Sequence, residues 1–255
     1  MKQSLFSQYK DAIANFTDVK DRSDFLVKNL GEHRIYYAPF DYVNPKAKIF
    51  VIGITPGEQQ MENMLIEAKR LIGLDLSDEE IQEKCKPIGS FSGAMRKNLV
   101  AMMDYVGVAD YLGIESTSEL FGKHVELGNL TSAIRYPTFL VKDGKETNFA
   151  NDIKPKSALF SFAAPLTIEE IEKAPKALLL PLGPKVSNYL QKVLKGTEYA
   201  ENLLPQIPHP SGANAERIAY FLGKKKKGDL SAKTNPNKID AEKHEIKKIL
   251  SQRKK

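Results

Sequence analysis

The segment Lys48 to Ile54 constrains this chain more than any other. After its first lysine it is continuously apolar and β-branched, and it closes in Gly53-Ile54-Thr55-Pro56-Gly57. A strand with no polar alternation has no solvent side, so it must be covered on both faces. Three further stretches read as strands: Leu127 to Ile134, closed by Tyr136-Pro137; Ala177 to Leu182, broken by Gly183-Pro184; and Leu203 to Ile207. Stretches with helical spacing of apolar residues separate them.

The helices expected from that spacing are Leu5 to Phe16, Glu58 to Leu71, Asp78 to Lys84, Ser92 to Val106, Thr167 to Lys173, Lys185 to Leu194, Ala215 to Leu222 and Ile239 to Leu250. Thr167 with Glu170 three residues on forms a capping-box pattern. Pro184 suits the first helical position of the Lys185 helix. Gly31 to Asn44 is expected to be irregular, Asp143-Gly144 to be a turn, and Gly228 to Lys238 to be a polar linker. Strands alternating with helices give an α/β fold. The expectation is a three-layer α/β/α arrangement with a central, mostly parallel four-stranded sheet. Ligands of such sheets bind beyond the carboxyl ends of the strands. Three loops of pocket-like chemistry fall there: Thr55-Pro56-Gly57, Ser132 to Pro137, and His209 to Gly212.

At 255 residues and 42% hydrophobic, the chain can bury one sizeable core. No run reaches the length of a membrane span, and the segment from Met1 is polar and amphipathic rather than a signal peptide. The lone cysteine, Cys85, excludes an internal disulfide and a multi-cysteine zinc or iron–sulfur site. It fits a reducing, cytoplasmic setting and is expected to be inert. His124 and His244 have no partner pattern. The net charge of +6 is concentrated at one end. Residues 224 to 255 hold eleven Lys and one Arg against two Asp and two Glu, a net +8, which leaves −2 for the rest. Lys224, Lys225, Lys226 and Lys227 form a block, and Lys254 and Lys255 end the chain. Such a cluster attracts a polyanion without regard to sequence; a solvated, frayed terminus is the alternative.

The segment His209-Pro210-Ser211-Gly212-Ala213-Asn214-Ala215-Glu216-Arg217 brings a His, a Ser and a helix start to one strand end. Free N–H groups at a helix start suit an anion. Taken with Gly53 to Gly57, Gly89-Ser90-Phe91-Ser92-Gly93, Leu130 to Arg135 and Ala177 to Gly183, it resembles the uracil-DNA glycosylase superfamily over about residues 48 to 222. The resemblance implies a single glycosylase-like domain over residues 1–223, with 1–47 an N-terminal helical or irregular extension, and a basic tail with a helix over 224–255. It implies a monofunctional enzyme that extrudes a base from DNA and hydrolyses its N-glycosidic bond. His209 would stabilise the departing base as an oxyanion hole does, Phe91 would stack on it, and Ser132 would read it. Gly53, Ile54, Pro56 and Gly57 would line the base pocket. Ser211, Gly212, Asn214, Arg217 and Lys224 to Lys227 would hold DNA phosphates. No metal or cofactor, no membrane and a monomeric state are implied.

The chain departs from the family's pattern at three points. Thr55 stands where many members carry Asp or Asn, and it is no base near neutral pH; Glu58 or Gln59, one turn on, are substitutes to consider. Ser132 replaces the base-reading Asn and cannot make a two-point amide contact. The loop Gly212-Ala213-Asn214 also lacks a bulky wedge. Both substitutions direct the expectation from uracil toward a bulkier pyrimidine, such as a modified cytosine in foreign DNA, with a role in defence. A non-catalytic DNA-binding relative and a nucleotide- or phosphosugar-binding α/β protein remain alternatives.

Overall fold

A computed structural model describes residues 4–91 and 93–253. Met1, Ser92, Lys254 and Lys255, each part of an expectation above, lie outside the described residues. The chain opens with α1 (Leu5–Asn15), capped by the Ser4 hydroxyl, which accepts the Ser7 N–H. It continues through β1 (Leu26–Leu30), β2 (His33–Tyr36) and β3 (Ile49–Gly53). Helices α2 (Glu58–Ile72), α3 (Asp78–Gly89), α4 (Gly93–Val106) and α5 (Val108–Leu112) follow, then β4 (Gly128–Ser132), β5 (Thr138–Lys142) and β6 (Lys145–Asn148). The remainder is α6 (Ala158–Lys173), β7 (Leu178–Pro181), α7 (Pro184–Val193), α8 (Ala215–Phe221) and α9 (Pro236–Arg253).

The central sheet is parallel, in the order β4-β3-β7. Alternate residues of β3 enter different cores. Phe50 and Ile52 pack with Met61, Met64 and Leu65 of α2 and Tyr189 of α7. Ile49 and Val51 pack with Leu99, Met102 and Met103 of α4 and Phe221 of α8. All four are at most 2% exposed, and burying each contributes roughly 1.5–3 kcal/mol. The three-layer α/β/α arrangement follows directly, because neither face of β3 meets water.

The expected fourth strand is not formed. Leu203 to Ile207 makes only two isolated parallel bridges, Leu179↔Leu203 and Leu182↔Ile207. The N–H groups that donate to β7 are those of Leu204 and Ile207, three residues apart, whereas their acceptors Leu179 and Pro181 are two apart, so the register slips and no continuous ladder forms. The segment still lies along β7, and the Gly183 N–H donates to the Ile207 carbonyl at 2.9 Å.

A second, antiparallel sheet, β1-β2-β5-β6, has no counterpart among the expected elements. It turns part of the supposedly irregular Gly31–Asn44 stretch into β2, which pairs with β5. The turn at Asp143-Gly144 joins β5 to β6 with φ of 51° and 73°, the paired positive φ that a two-residue hairpin favours.

The capping box at Thr167 is also corrected. Thr167 lies inside α6, its hydroxyl 3.2 Å from the Ala163 carbonyl, and Glu170 accepts from Arg135 at 2.6 Å and from Thr131 at 2.7 Å. The cap is Ser157, whose hydroxyl accepts the Phe160 N–H at 3.1 Å. Helix α3 runs five residues beyond Lys84, with Pro87 inside it. It ends at Gly89, where a Cβ would lie 2.3 Å from Met64, so glycine there permits the approach of α3 to α2.

The basic segment is folded against the body. Ile239, Ile246 and Leu250 of α9 are buried in the second core. Glu216 of α8 accepts from Lys225 at 2.9 Å, from the Ser231 hydroxyl at 2.7 Å and from the Thr234 hydroxyl at 2.5 Å. Those bonds, the Thr234 one foremost, hold its carboxyl down to about 2. The Arg217 guanidinium donates to the Lys233 carbonyl at 2.8 Å. Among the described residues, no helix is long and apolar enough to cross a membrane, and no cluster of three or more His, Cys, Asp or Glu could hold a metal ion.

Candidate functional site

Strand register brings the site together. Gly53 of β3 is paired with Ser132 of β4 at the carboxyl end of the sheet. On the other side of β3, Leu182 donates to the Ile52 carbonyl and Gly183 to Ile207, which delivers the chain to His209. Gly183 has φ +87°, and a Cβ on it would lie 3.6 Å from the His209 Cβ. A side chain there would be strained by the backbone alone.

A cavity of about 200 Å³ opens at this rim, lined by Gly53, Thr55, Phe91, Ser132, Asn148 and His209 among others. That volume suits one substituted ring better than a drug-sized ligand. A Cβ on Gly53 would sit 3.6 Å from the Ser132 hydroxyl and 3.8 Å from the Phe91 ring, so the three converge. The Ser132 side chain is half-buried and has no hydrogen-bond partner among the described residues. Phe91 is 7% exposed and has φ +35°, a conformation uncommon for a bulky residue. Arg96 holds it there. Its Nε donates to the Phe91 carbonyl at 2.6 Å and its guanidinium to the Pro87 and Ser90 carbonyls at 3.1 and 2.9 Å.

His209 is half-buried, and burial lowers its pKa. Its Nδ1 accepts the Ser211 N–H at 3.3 Å. In the neutral ring the proton therefore sits on Nε2, which is left as a donor. Asn98 of α4 fixes the loop from below by donating to the Pro210 carbonyl at 2.9 Å. Asn214 donates to the Ser211 hydroxyl at 3.2 Å and accepts from Arg217 at 2.8 Å. These four residues form one hydrogen-bonded chain running away from the cavity, with Gly212 exposed at its turn.

The water-activating candidates are placed differently. The Thr55 hydroxyl donates to the Tyr136 carbonyl at 3.0 Å and accepts the Thr138 N–H at 3.1 Å. It lines the cavity but is committed to joining β3 to β5. Glu58 is exposed and ion-paired with Arg22. Gln59 is exposed and donates to Asn63 at 3.1 Å. Neither Glu58 nor Gln59 lines the cavity, and among the described residues no carboxylate does. Ile54 and Gly57 are in the wall, and the buried Pro56 is not.

Sequence reasoning missed two polar residues of the wall. Gln60 accepts the Gly57 N–H at 3.0 Å and donates to the Gly89 carbonyl at 2.8 Å, so it ties α2 to the Phe91 loop. Asn148 comes from β6; its Oδ1 accepts the Glu58 N–H at 3.0 Å, capping α2 from another sheet. The Asp143-Gly144 turn between two short alternating runs was the signal for this hairpin. Arg22 fastens it, bridging Glu58 and Glu146 while lying 4.2 Å from the Phe139 ring centroid. Lys86, whose ammonium burial pushes down to about 8, supports the opposite wall by donating to the Phe40 carbonyl at 2.9 Å.

Of the lysine block, Lys224, Lys226 and Lys227 are exposed. Lys225 is engaged with Glu216 at 2.9 Å, and Lys227 donates to Asn237 at 2.7 Å. Cys85 is buried, and that burial pushes its thiol up to about 12, well away from thiolate chemistry.

No family model matches the chain. It is similar to the uncharacterized protein YoxB of Bacillus subtilis (strain 168), with 29% identity over 230 residues, 87% of this chain and 89% of YoxB. A crystal structure of wild-type Pedobacter heparinus SMUG2 aligns with a TM-score of 0.42 at 17% identity, covering 80% of this chain and 92% of that one.

Proposed function

We propose that the protein is a DNA glycosylase of the uracil-DNA glycosylase superfamily, acting on an extruded pyrimidine. The observation that carries this reading is the His209–Ser211 bond at the cavity wall. It leaves a neutral imidazole with one N–H donor beside a ring-sized cavity that Phe91 also lines. When the C1′–N bond breaks, its electron pair goes to the departing base, and a donor at the base carbonyl stabilises that anion. A neutral donor does this without first protonating the base. Water then adds to the electron-poor C1′ and releases its proton to solvent.

A bond that breaks ahead of attack needs no strong base, which fits a wall without a carboxylate. Beside His209, its polar side chains are Thr55, Gln60, Ser90, Thr131, Ser132 and Asn148. The small, unpaired Ser132 leaves more space than an amide would, which favours a bulkier pyrimidine, including a modified cytosine in foreign DNA. Ser211, Gly212, Asn214, Arg217 and the exposed Lys224 and Lys226 would receive phosphates of the strand. We place this activity in a cytoplasmic monomer.

Incubating the protein with oligonucleotides carrying a panel of pyrimidines, followed by alkaline scission, tests the reading. Scission at one of them is the expected result; none at any, with DNA binding retained, would leave the second reading. That reading, a non-catalytic DNA-binding relative, is favoured by one observation: the donor and one of the two acceptor sites of the Thr55 hydroxyl are taken by backbone.

A further inference from the structure

Asn148 is the last residue of β6 and stands in the wall of the base pocket beside Gly57. One bond settles which way its amide points. Oδ1 accepts the Glu58 N–H, the first of α2, at 3.0 Å, and a backbone N–H can bond only the oxygen of an amide. Nδ2 is therefore the free half. It has no partner among the described residues, the residue is exposed, and a Cβ on Gly57 would lie 3.8 Å from it. The backbone around it is fastened. Asn148 pairs with Phe139 in the hairpin, the Phe149 N–H donates to the Thr138 carbonyl at 2.9 Å, and Lys185 donates to the Ala150 carbonyl. Ala150 also lines a second cavity, of about 600 Å³, which α9 closes with Glu242, the acceptor of the Gln206 amide at 2.8 Å. The Asn148 donor is thus held in place before a ligand arrives.

The other polar side chains of this wall cannot tell an oxygen from an amine. Thr55, Thr131 and Ser90 direct their hydroxyl hydrogens to Tyr136, Glu170 and Lys86. Gln60 is tied at both ends, to Gly57 and Gly89. The Ser132 hydroxyl can turn to donate or to accept. We propose that Asn148 is the specificity-determining residue of the pocket, its Nδ2 donating to an oxygen at position 4 of the extruded pyrimidine. The carbonyl that shares the leaving electron pair most directly is the one at position 2, bonded to the departing nitrogen, and His209 serves that one. A second fixed donor then meets the carbonyl at position 4. A 4-amino group there would set N–H against N–H. Ser132 leaves room for a bulkier base, and Asn148 decides the atom at position 4, so a modified cytosine becomes the weaker substrate. This assignment rests on the base-extruding reading given above.

The test compares the full-length protein with Asn148→Asp. That exchange keeps an oxygen for the Glu58 N–H, at a helix start where a carboxylate is favoured, and turns the free donor into an acceptor. Affinity is measured by anisotropy on single-stranded oligonucleotides carrying one 2′-fluoroarabino uracil or cytosine nucleotide. The fluorine withdraws electrons from C1′ and blocks release, and no partner base biases extrusion. The wild type should bind the uracil strand roughly five- to tenfold tighter than the cytosine strand, the worth of one hydrogen bond. Asn148→Asp should reverse the order. The added charge weakens both strands alike, so the ratio between them is the readout. No preference in the wild type, or the same uracil preference in Asn148→Asp, overturns the proposal and leaves Asn148 a cap of α2. Failure of the base-extruding reading shows differently: both strands then bind no tighter than one with an abasic analogue at the same position. Failure of the pyrimidine panel with these preferences intact bears on catalysis alone, because none of these measurements requires base release.

Discussion

The imidazole Nδ1 of His209 accepts the backbone N–H of Ser211 at 3.3 Å. One contact sets both the tautomer and the direction of the ring's remaining donor. It also explains the proline between them. Pro210 fixes its own φ, and Asn98 holds its carbonyl at 2.9 Å, so the turn that folds Ser211 back onto the ring is rigid. If the Nε2 proton stabilises the departing base, His209→Leu should lower kcat about 10²- to 10³-fold. DNA affinity should change little, because the phosphate contacts assigned to Ser211 and Arg217 remain. Parallel measurement of single-turnover rate and duplex anisotropy separates the two; equal losses in both would remove His209 from the chemistry.

Burial of the same ring predicts a pH effect on stability. Burial lowers the His209 pKa in the folded protein from an unfolded value of about 6.5. Above that value the ring is neutral in both states and contributes nothing. As pH falls below it, the unfolded chain takes up the proton first, so the fold loses stability until the lowered pKa is passed. Urea unfolding between pH 7.5 and 5 should show the wild type losing stability relative to His209→Leu. A difference independent of pH would contradict a buried, neutral His209.

Phe91 is held at positive φ by the Arg96 clamp. Stacking on an aromatic face contributes roughly 1–3 kcal/mol per base. Phe91→Leu should therefore reduce kcat/KM by about tenfold or more, with a smaller loss of thermal stability. Arg96→Met should reproduce part of that loss by freeing the loop, without touching the ring itself. Unchanged kinetics in both variants would make Phe91 a core residue only.

The lysine block divides by its partners. Lys225 and Lys227 are engaged within the fold, whereas the exposed Lys224 and Lys226 have no side-chain partner among the described residues. Replacing Lys224 and Lys226 with alanine should reduce the slope of log affinity against log salt by up to about 1.8, at about 0.9 per phosphate contact on duplex DNA. Deleting residues 224–253 is a poorer test, because it strips Ile239, Ile246 and Leu250 from the second core. An unchanged slope would leave the block a solvated surface.

Gly89→Ala should destabilise the protein by about 1–3 kcal/mol through overpacking, because the added Cβ lies 2.3 Å from Met64. Chemical denaturation of Gly89→Ala, Met64→Ala and the double variant should show strong non-additivity. Simple additivity would mean that α2 and α3 do not touch there.

By itself, the sequence determined the central layer. The unbroken apolar run from Ile49 onward and the shorter one ending at Leu182 could only be strands buried on both faces, and the helices between them could only lie outside. It also fixed which loops share a rim, because parallel strands end on the same side. Those inferences rest on local pattern, which needs no knowledge of distant partners. Tertiary structure decided the rest. The fourth strand is reduced to two bridges because its donors to β7, Leu204 and Ile207, are three residues apart and slip out of register. The β5–β6 hairpin brings Asn148 to the cavity across the chain, while Thr55 is drawn into backbone bonds with Tyr136 and Thr138. Helix α9 closes a second cavity with Glu242, in a segment whose charge suggested a tail that attracts a polyanion. Each of these depends on hydrogen bonds between residues about thirty to ninety positions apart, and no local pattern encodes which distant group will satisfy a given donor.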